Sequence, residues 1–280
     1  MSEQESSAER FTPAGMLQTA CEIGTAKAHM SFRKLLVLSV LAGIYIGMGG
    51  LFSSIAATGA SGIWPYGMTK LVQGLVFSTG LILVVVGGAE LFTGNSLMII
   101  ALAQKKISLM SLLRNWGLVY VGNFIGSFLL ALAVVASKVY HAGDGLLGSQ
   151  MLTIANAKSV YGFGQAVMLG LLCNVLVCLA VWLTYGARSL TDKVLAIVFP
   201  ISLFVAAGFE HSVANMYLIP AGILLKIFDP AFTASLGIDL SNLTWQSLLV
   251  GNLLPVTLGN ILGGSFLVGL MYHFAYQKAH

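Results

Sequence analysis

Long runs without a charged residue constrain this chain more than any other feature. Six such runs follow one another: Leu35 to about Ala57, Leu71 to about Ala103, Trp116 to Ala136, Phe163 to Tyr185, Val194 to Leu225, and Leu248 to about Tyr276. Only Glu90 interrupts the second run, and only Glu210 and His211 interrupt the fifth. Because a helix needs about 20 apolar residues to cross a bilayer, we predict an all-α polytopic membrane protein with six transmembrane helices.

The composition excludes several other classes of protein. The chain is 57% hydrophobic and 9% charged, whereas soluble domains carry about 25% charged residues. A membrane β-barrel would show short segments of alternating polarity, and these runs are long and continuous. The formal net charge of +4 comes from the loops, so it does not indicate a nucleic-acid partner.

The ionisable residues inside the second and fifth runs predict interrupted helices. A charged group at that depth costs several kcal/mol, and Glu210 and His211 are flanked by Gly208, Ser212 and Asn215. Both runs exceed the length of one span, so each can spare residues for a central loop. A broken backbone is tolerated in a membrane only where it faces protein or a cavity. We therefore predict that the two loops line a pathway.

An internal repeat relates these two loops. Residues 88–95 overlay residues 208–215, with Glu90 over Glu210 and Asn95 over Asn215, and residues 115–126 overlay residues 252–263. A chance match of glycine-rich sequence is the alternative, but glutamate and asparagine match as well. Each half, about 35–137 and about 160–276, holds three spans. Because three is odd, the second half enters the membrane inverted, an arrangement that places sites near the midplane.

The basic residues predict the orientation. With six spans, ten of the fourteen fall on the side of both termini and four on the other side: Arg10, Lys27, Arg33, Lys34, Lys105, Lys106, Arg114, Arg188, Lys193 and Lys278 against Lys70, Lys138, Lys158 and Lys226. The positive-inside rule then places both termini in the cytoplasm. Residues 1–34 are predicted to be a cytoplasmic segment with a short amphipathic helix after Pro13, and residues 35–280 a single channel domain.

The midplane residues favour an anion. Helix N-termini created by the breaks attract negative charge, and no span core contains a lysine or arginine, so an anion would meet Thr93, Asn174 and His211. His211 can donate a hydrogen bond or exchange a proton, or it is a structural histidine. Glu90 and Glu210 are either proton carriers or caps of the half-helices that follow, and their symmetry favours capping.

Other residues fit a channel better than an enzyme. Phe77, Leu81, Leu91 and Phe204 flank the central zone, either as apolar constrictions or as ordinary packing residues. Cys21, Cys173 and Cys178 lack metal-ligand spacing, so we expect reduced packing residues and neither a metal nor a cofactor. The alternative is a membrane-embedded enzyme that uses Glu210 and His211 as an acid/base pair. No activated nucleophile or cofactor motif accompanies these two residues.

Three segments resemble motifs of the formate/nitrite transporter family. They are residues 88–94 (GAELFTG), residues 170–180 (GLLCNVLVCLA) and residues 208–223, and together with residues 186–193 they are most similar to the formate channels of that family. The resemblance implies an aquaporin-like protomer with broken second and fifth helices, assembled as a homopentamer with one pore per protomer. It also implies a mobile N-terminal gate at residues 1 to about 30.

The resemblance also implies roles for individual residues. Thr93 and His211 are the functional residues of the two loops, with Asn174 approaching the histidine and Glu210 and Asn215 beside it. The constrictions correspond to Leu81, Leu91, Phe77 and Phe204, and the basic funnels to Lys27 and Lys158. The expected function is a bidirectional channel for formate and similar small monovalent anions in the bacterial inner membrane, passive or proton-linked through His211. Nitrite or hydrosulfide is the alternative substrate.

Overall fold

The computed structural model describes residues 11–277, and their regular structure is helical. The helices are α1 Pro13–Ala28, α2 Phe32–Ala57, α3 Tyr66–Gly87, α4 Gly94–Ala103, α5 Leu109–Ala136, α6 Leu146–Lys158, α7 Phe163–Tyr185, α8 Leu190–Ala206, α9 Ser212–Phe228, α10 Pro230–Ser235 and α11 Ser247–Tyr276. Helix α4 begins with a 3₁₀ turn, and α11 contains two π-helical stretches. Within residues 11–277, five helices are long and apolar enough to span a membrane: α2, α3, α5, α7 and α11.

The predicted interruptions of the second and fifth spans are confirmed. The fifth divides into α8 and α9 of 17 residues each. The second divides unequally, because α3 already has 22 residues when it ends at Gly87. Both breaks begin at a glycine with left-handed backbone, Gly88 at φ +74° and Gly208 at φ +73°. Other residues reach this region at a cost, which explains why a glycine opens each loop.

Two buried asparagines hold the loops at membrane depth. The Asn123 amide accepts from the backbone N–H of Phe92 at 2.9 Å and donates to the carbonyl of Glu90 at 2.9 Å. Asn260 does the same in the other half, accepting from Ser212 N–H and donating to the carbonyl of Glu210, each at 3.0 Å. These bonds satisfy backbone groups that would otherwise be stranded away from water.

The repeat is longer than the sequence comparison indicates. Helix α1 lies on α4, with Met16, Leu17 and Cys21 buried, so the predicted helix after Pro13 is confirmed. Helix α6, which was not predicted, lies on α9 in the same way. Each half therefore begins with a short helix that has a lysine in its last turn, Lys27 or Lys158. Residues 1–10 of the predicted gate lie outside the described residues.

Close helix crossings rest on glycines that face a neighbouring backbone. Helix α2 packs on α5, and α7 packs on α11. A Cβ at Gly126 would collide with the carbonyl oxygen of Val40, and one at Gly263 would collide with that of Leu171. The absence of a side chain thus lets the backbones touch, which is how membrane helices gain packing energy without a hydrophobic driving force.

We expect Gly126→Ala to destabilise the fold by about 1–3 kcal/mol, because α2 and α5 must separate to admit the new methyl group. The matched control is Gly117→Ala on the same helix, where a Cβ meets nothing within 4 Å. That control should be neutral or stabilising by roughly 0.5–1 kcal/mol, since alanine is the better helix former. Thermal unfolding of both proteins in one detergent measures the difference. Equal midpoints would contradict the close crossing.

Candidate functional site

The centre of the molecule is a contact between Thr93 and His211. Thr93 Oγ1 and His211 Nε2 are 2.8 Å apart, and both residues are buried. His211 is also the N-cap of α9, because its Nδ1 accepts from the backbone N–H of Ala214 at 3.0 Å. With Nδ1 accepting, the proton of a neutral imidazole must sit on Nε2. The cap thus fixes the tautomer, and His211 donates to Thr93.

With this tautomer of His211, the hydroxyl proton of Thr93 remains free to donate. Thr93 Oγ1 accepts from His211, so its own O–H can donate to a third group. Thr93 directly precedes α4, and His211 directly precedes α9. Two helix N-termini with partial positive charge therefore flank two polar donors. The arrangement suits a small acceptor with negative charge.

Asn174 supports the threonine loop rather than the histidine. Its Nδ2 donates to the carbonyl of Thr93 at 3.3 Å, to Ser96 Oγ at 3.1 Å and to the carbonyl of Asn260 at 2.6 Å. Among the described residues, the hydrogen-bond partners of the Asn174 side chain do not include His211. The amide thus joins the Thr93 loop to α11.

A buried ion pair stands behind the first loop. Lys27 Nζ lies 3.0 Å from the Glu90 carboxylate, which also accepts from Asn95 Nδ2 at 2.8 Å. Asn95 Nδ2 donates further to Asn115 Oδ1 at 2.9 Å, and Asn115 Nδ2 donates to the backbone carbonyl of Lys27 at 3.2 Å. The four side chains form a closed ring of polar contacts.

The same ring recurs behind the second loop. Lys158 Nζ contacts the Glu210 carboxylate, which accepts from Asn215 Nδ2 at 2.6 Å. Asn215 Nδ2 donates to Asn252 Oδ1 at 2.7 Å, and Asn252 Nδ2 donates to the carbonyl of Lys158 at 2.9 Å. The inverted repeat therefore extends to individual hydrogen bonds.

These contacts correct one expectation. The predicted capping role of Glu210 is wrong, because His211 caps α9 and both glutamates bind lysine and asparagine side chains instead. The lysines that bind them lie outside the span cores, in which the sequence places no lysine or arginine. Lys27 and Lys158 do not belong to the long spans but reach the loop glutamates from the ends of α1 and α6.

Two cavities lead toward the Thr93–His211 contact. The first, here called the Lys27 vestibule, has a volume of about 400 Å³ and is lined by Lys27, Glu90, Leu81, Leu91 and Lys193, among others. The second, the Lys158 vestibule, has a volume of about 160 Å³ and is lined by Lys158, Glu210, Phe77, Phe204, His211 and Lys70, among others. They open on opposite sides of the helix bundle, because α1 and α6 lie at opposite ends of α2.

The four apolar residues divide between these vestibules. The Phe77 and Phe204 rings meet edge to face at 5.4 Å, and the Phe204 ring lies 5.9 Å from the imidazole of His211. Leu81 and Leu91 are buried on the side of the Lys27 vestibule. The polar centre thus has an aromatic wall on one side and an aliphatic wall on the other.

Comparison with known proteins decides the family. Residues 14–274 match the family model described as formate/nitrite transporter. The chain belongs to the formate/nitrite transporter family. It is 44% identical over 270 residues to the formate channel FocA of Escherichia coli strain K12, covering 95% of this chain and 94% of that protein. It is also 38% identical over 284 residues to a probable formate transporter of Methanothermobacter thermautotrophicus, covering 95% and 97%.

A solved structure of the family has the same fold. The structure titled "Pentameric formate channel with formate bound" superimposes with a TM-score of 0.83 at 46% identity, covering 88% of this chain and 98% of that one. The all-helical membrane fold predicted from the sequence is thereby confirmed.

The structure brings together most of the residues singled out from the sequence. Thr93 and His211 touch, Asn174 lies behind Thr93, and Glu210 and Asn215 belong to one ring with Lys158. Sequence reasoning missed the roles of the buried amides Asn115, Asn123, Asn252 and Asn260. Their signal was present, since each is an amide in or directly beside an apolar run at a matched position of the repeat.

Proposed function

We propose that this protein is a bidirectional channel for formate and similar small monovalent anions. The observation that carries the proposal is the Thr93–His211 contact. This pair of polar side chains has an apolar wall on each side, and beyond each wall lies a vestibule that contains lysines. Formate has two acceptor oxygens: one accepts from the free Thr93 hydroxyl, and the other accepts from His211 Nε2–H when the anion replaces Thr93 Oγ1 as its acceptor. The names of the relatives support formate as the substrate.

Two modes of passage fit this geometry. A bare anion cannot shed its water cheaply between Phe77 and Phe204 or between Leu81 and Leu91. If His211 relays a proton, its Nδ1 first takes up a second proton from the vestibule water in place of the bond from the Ala214 N–H. The resulting imidazolium gives its Nε2 proton to formate, neutral formic acid crosses the apolar wall, and His211 is left as a neutral imidazole. If Nε2–H only donates a hydrogen bond, the anion crosses charged and the current is electrogenic.

Uptake by purified protein in liposomes tests the function. Formate, nitrite, hydrosulfide and glycerol should be compared at several pH values. We expect rapid uptake of formate and exclusion of glycerol, because the site recognises small acceptors. Nitrite and hydrosulfide are the alternative substrates, since the donors recognise the charge and the size of an anion and not whether it contains carbon. Glycerol uptake without formate uptake would contradict an anion channel.

Assembly and orientation are part of the proposal. We propose a homopentamer with one pore per protomer in the bacterial inner membrane, with both termini in the cytoplasm. The Lys27 vestibule then faces the cytoplasm, and the Lys158 vestibule faces outward. The distribution of basic residues supports this orientation. Reporter fusions after Lys278 and in the loop at Asp229 should report opposite sides, and signals from one side would contradict the six-span topology.

The apolar walls act as the constrictions of the channel in this proposal. Leu91→Ala should widen the aliphatic wall and increase leakage of solutes larger than formate, because Leu91 lies between the Lys27 vestibule and the centre. Leu83→Ala is the matched control, since Leu83 is 37% exposed on the surface of α3. Liposome swelling with solutes of graded size measures the leak. A permeability profile for Leu91→Ala equal to that of Leu83→Ala would remove Leu91 from the pathway.

A further inference from the structure

The two funnel lysines contribute little net charge to their vestibules. Lys27 is paired with Glu90 at 3.0 Å, and Lys158 is paired with Glu210. Each carboxylate is buried. An anion that approaches through water therefore meets a dipole at each pair and no net positive charge. Attraction over the length of a vestibule must therefore come from other groups.

Each vestibule contains a second lysine, and this one has no carboxylate partner among residues 11–277. Lys70 lines the Lys158 vestibule, and Lys193 lines the Lys27 vestibule. Both are half-buried. The Lys70 ammonium lies 5.6 Å above the exposed Tyr66 ring, a contact that leaves its charge uncompensated.

The position of Lys193 does not stabilise its helix. Lys70 is in the second turn of α3, and Lys193 is in the first turn of α8, which are equivalent helices of the inverted repeat. A cation in the first turn of a helix opposes the helix dipole and is unfavourable. The two halves therefore place a lysine without a carboxylate partner among residues 11–277 within about one turn of the same point.

We propose that Lys70 and Lys193 are the anion-collecting residues of the two vestibules. Their ligand is a small monovalent carboxylate or an anion of similar size, so the proposal rests on the anion-channel function above. A cavity with low-dielectric walls focuses the field of an uncompensated charge and raises the local concentration of counter-ions. Lys27 and Lys158 instead hold the loop glutamates in place.

The test measures the half-saturating formate concentration from each face, in right-side-out and inverted membrane vesicles from cells lacking other formate transport. Potassium gluconate sets the ionic strength. Lys70→Gln should raise the half-saturating concentration roughly fivefold on one face at 0.01 M, where the Debye length is about 30 Å. At 1 M the Debye length is about 3 Å, and the effect should fall below about twofold.

Lys193→Gln should produce the same change on the opposite face. The matched controls are Lys138→Gln for Lys70 and Lys34→Gln for Lys193, since neither lysine lines a vestibule. Lys70→Arg should keep the wild-type value, because it retains the charge.

Several outcomes overturn the proposal. Two results would show that Lys70 does not collect anions. One is a half-saturating formate concentration that Lys70→Gln leaves unchanged on both faces, and the other is an equal change of that concentration in Lys138→Gln. If a glutamine variant does not assemble, the wild-type protein remains a test of the proposal. A half-saturating formate concentration that does not rise with ionic strength would overturn it. A wild-type protein that conducts no formate contradicts the channel function itself, which separates that failure from a failure of the lysines.

Discussion

Replacing His211 by phenylalanine is expected to reduce formate flux at neutral pH by roughly tenfold to a hundredfold. Phenylalanine keeps the bulk beside Phe204 but removes the Nε2–H donor between the two apolar walls. A hydrogen bond to a charged group contributes about 1.5–3 kcal/mol, and this range sets the expected loss. Stopped-flow uptake in liposomes, with an internal pH dye, measures formate and proton movement together.

The same variant separates the two modes of passage. If His211 relays a proton, His211→Phe loses formate-coupled proton movement, and the residual flux is electrogenic. If His211 only donates a hydrogen bond, anion conduction itself falls. Wild-type flux, proton coupling and pH dependence in His211→Phe would show that the histidine is structural and that the proposed centre is wrong.

The control for folding is His211→Asn. Phenylalanine removes the cap on the Ala214 N–H, which costs about 1 kcal/mol, whereas asparagine is a strong N-cap residue. We therefore expect His211→Asn to restore stability but not proton-coupled flux. A loss of flux confined to variants with lowered thermal stability would instead attribute the effect to the missing cap.

The second large effect is expected for Lys158→Met. This change leaves the Glu210 carboxylate buried without its cation, and breaking a buried pair by removing one partner costs about 3–5 kcal/mol. Glu210 is 1% exposed, so water cannot replace the lysine. Chemical unfolding in detergent should show the loss directly.

The double variant Lys158→Met/Glu210→Gln tests the cause of that loss. It removes both charges and keeps a side chain that can still bond Asn215, so it should recover most of the stability. Lys34→Met is the control for removal of an exposed lysine and should change stability little. A double variant as unstable as Lys158→Met would contradict an unpaired carboxylate as the cause.

The spans and the breaks could be predicted because they follow from local sequence. Phe163–Tyr185 matches its helix at both ends, since an uncharged run of that length has no other structure in a bilayer. Gly88 and Gly208 indicated where the two central loops begin. The inverted repeat predicted that the loops of Thr93 and His211 lie near the midplane, but local sequence could not predict the direct contact of two residues that are 118 positions apart.

The lysine–glutamate pairs could not be predicted from local sequence. Lys27 and Lys158 belong to short polar helices outside the long apolar runs, and they reach Glu90 and Glu210 across 63 and 52 positions. Helix α6 itself has 13 residues with several polar side chains, so it resembles a loop by composition. Tertiary packing on α9 makes it a helix and gives Lys158 its direction.

The duplicated polar rings have a consequence for the origin of this architecture. Two separate copies of a half-length ancestor, inserted in opposite orientations, would form a homodimer with the same lysine–glutamate–asparagine rings around its axis. Such a dimer would carry two histidines or none, because Leu91 stands where His211 stands in the other half, and Val213 stands where Thr93 does. A single imidazole donating to a single threonine thus requires two halves of different sequence, which identical copies in a homodimer cannot provide.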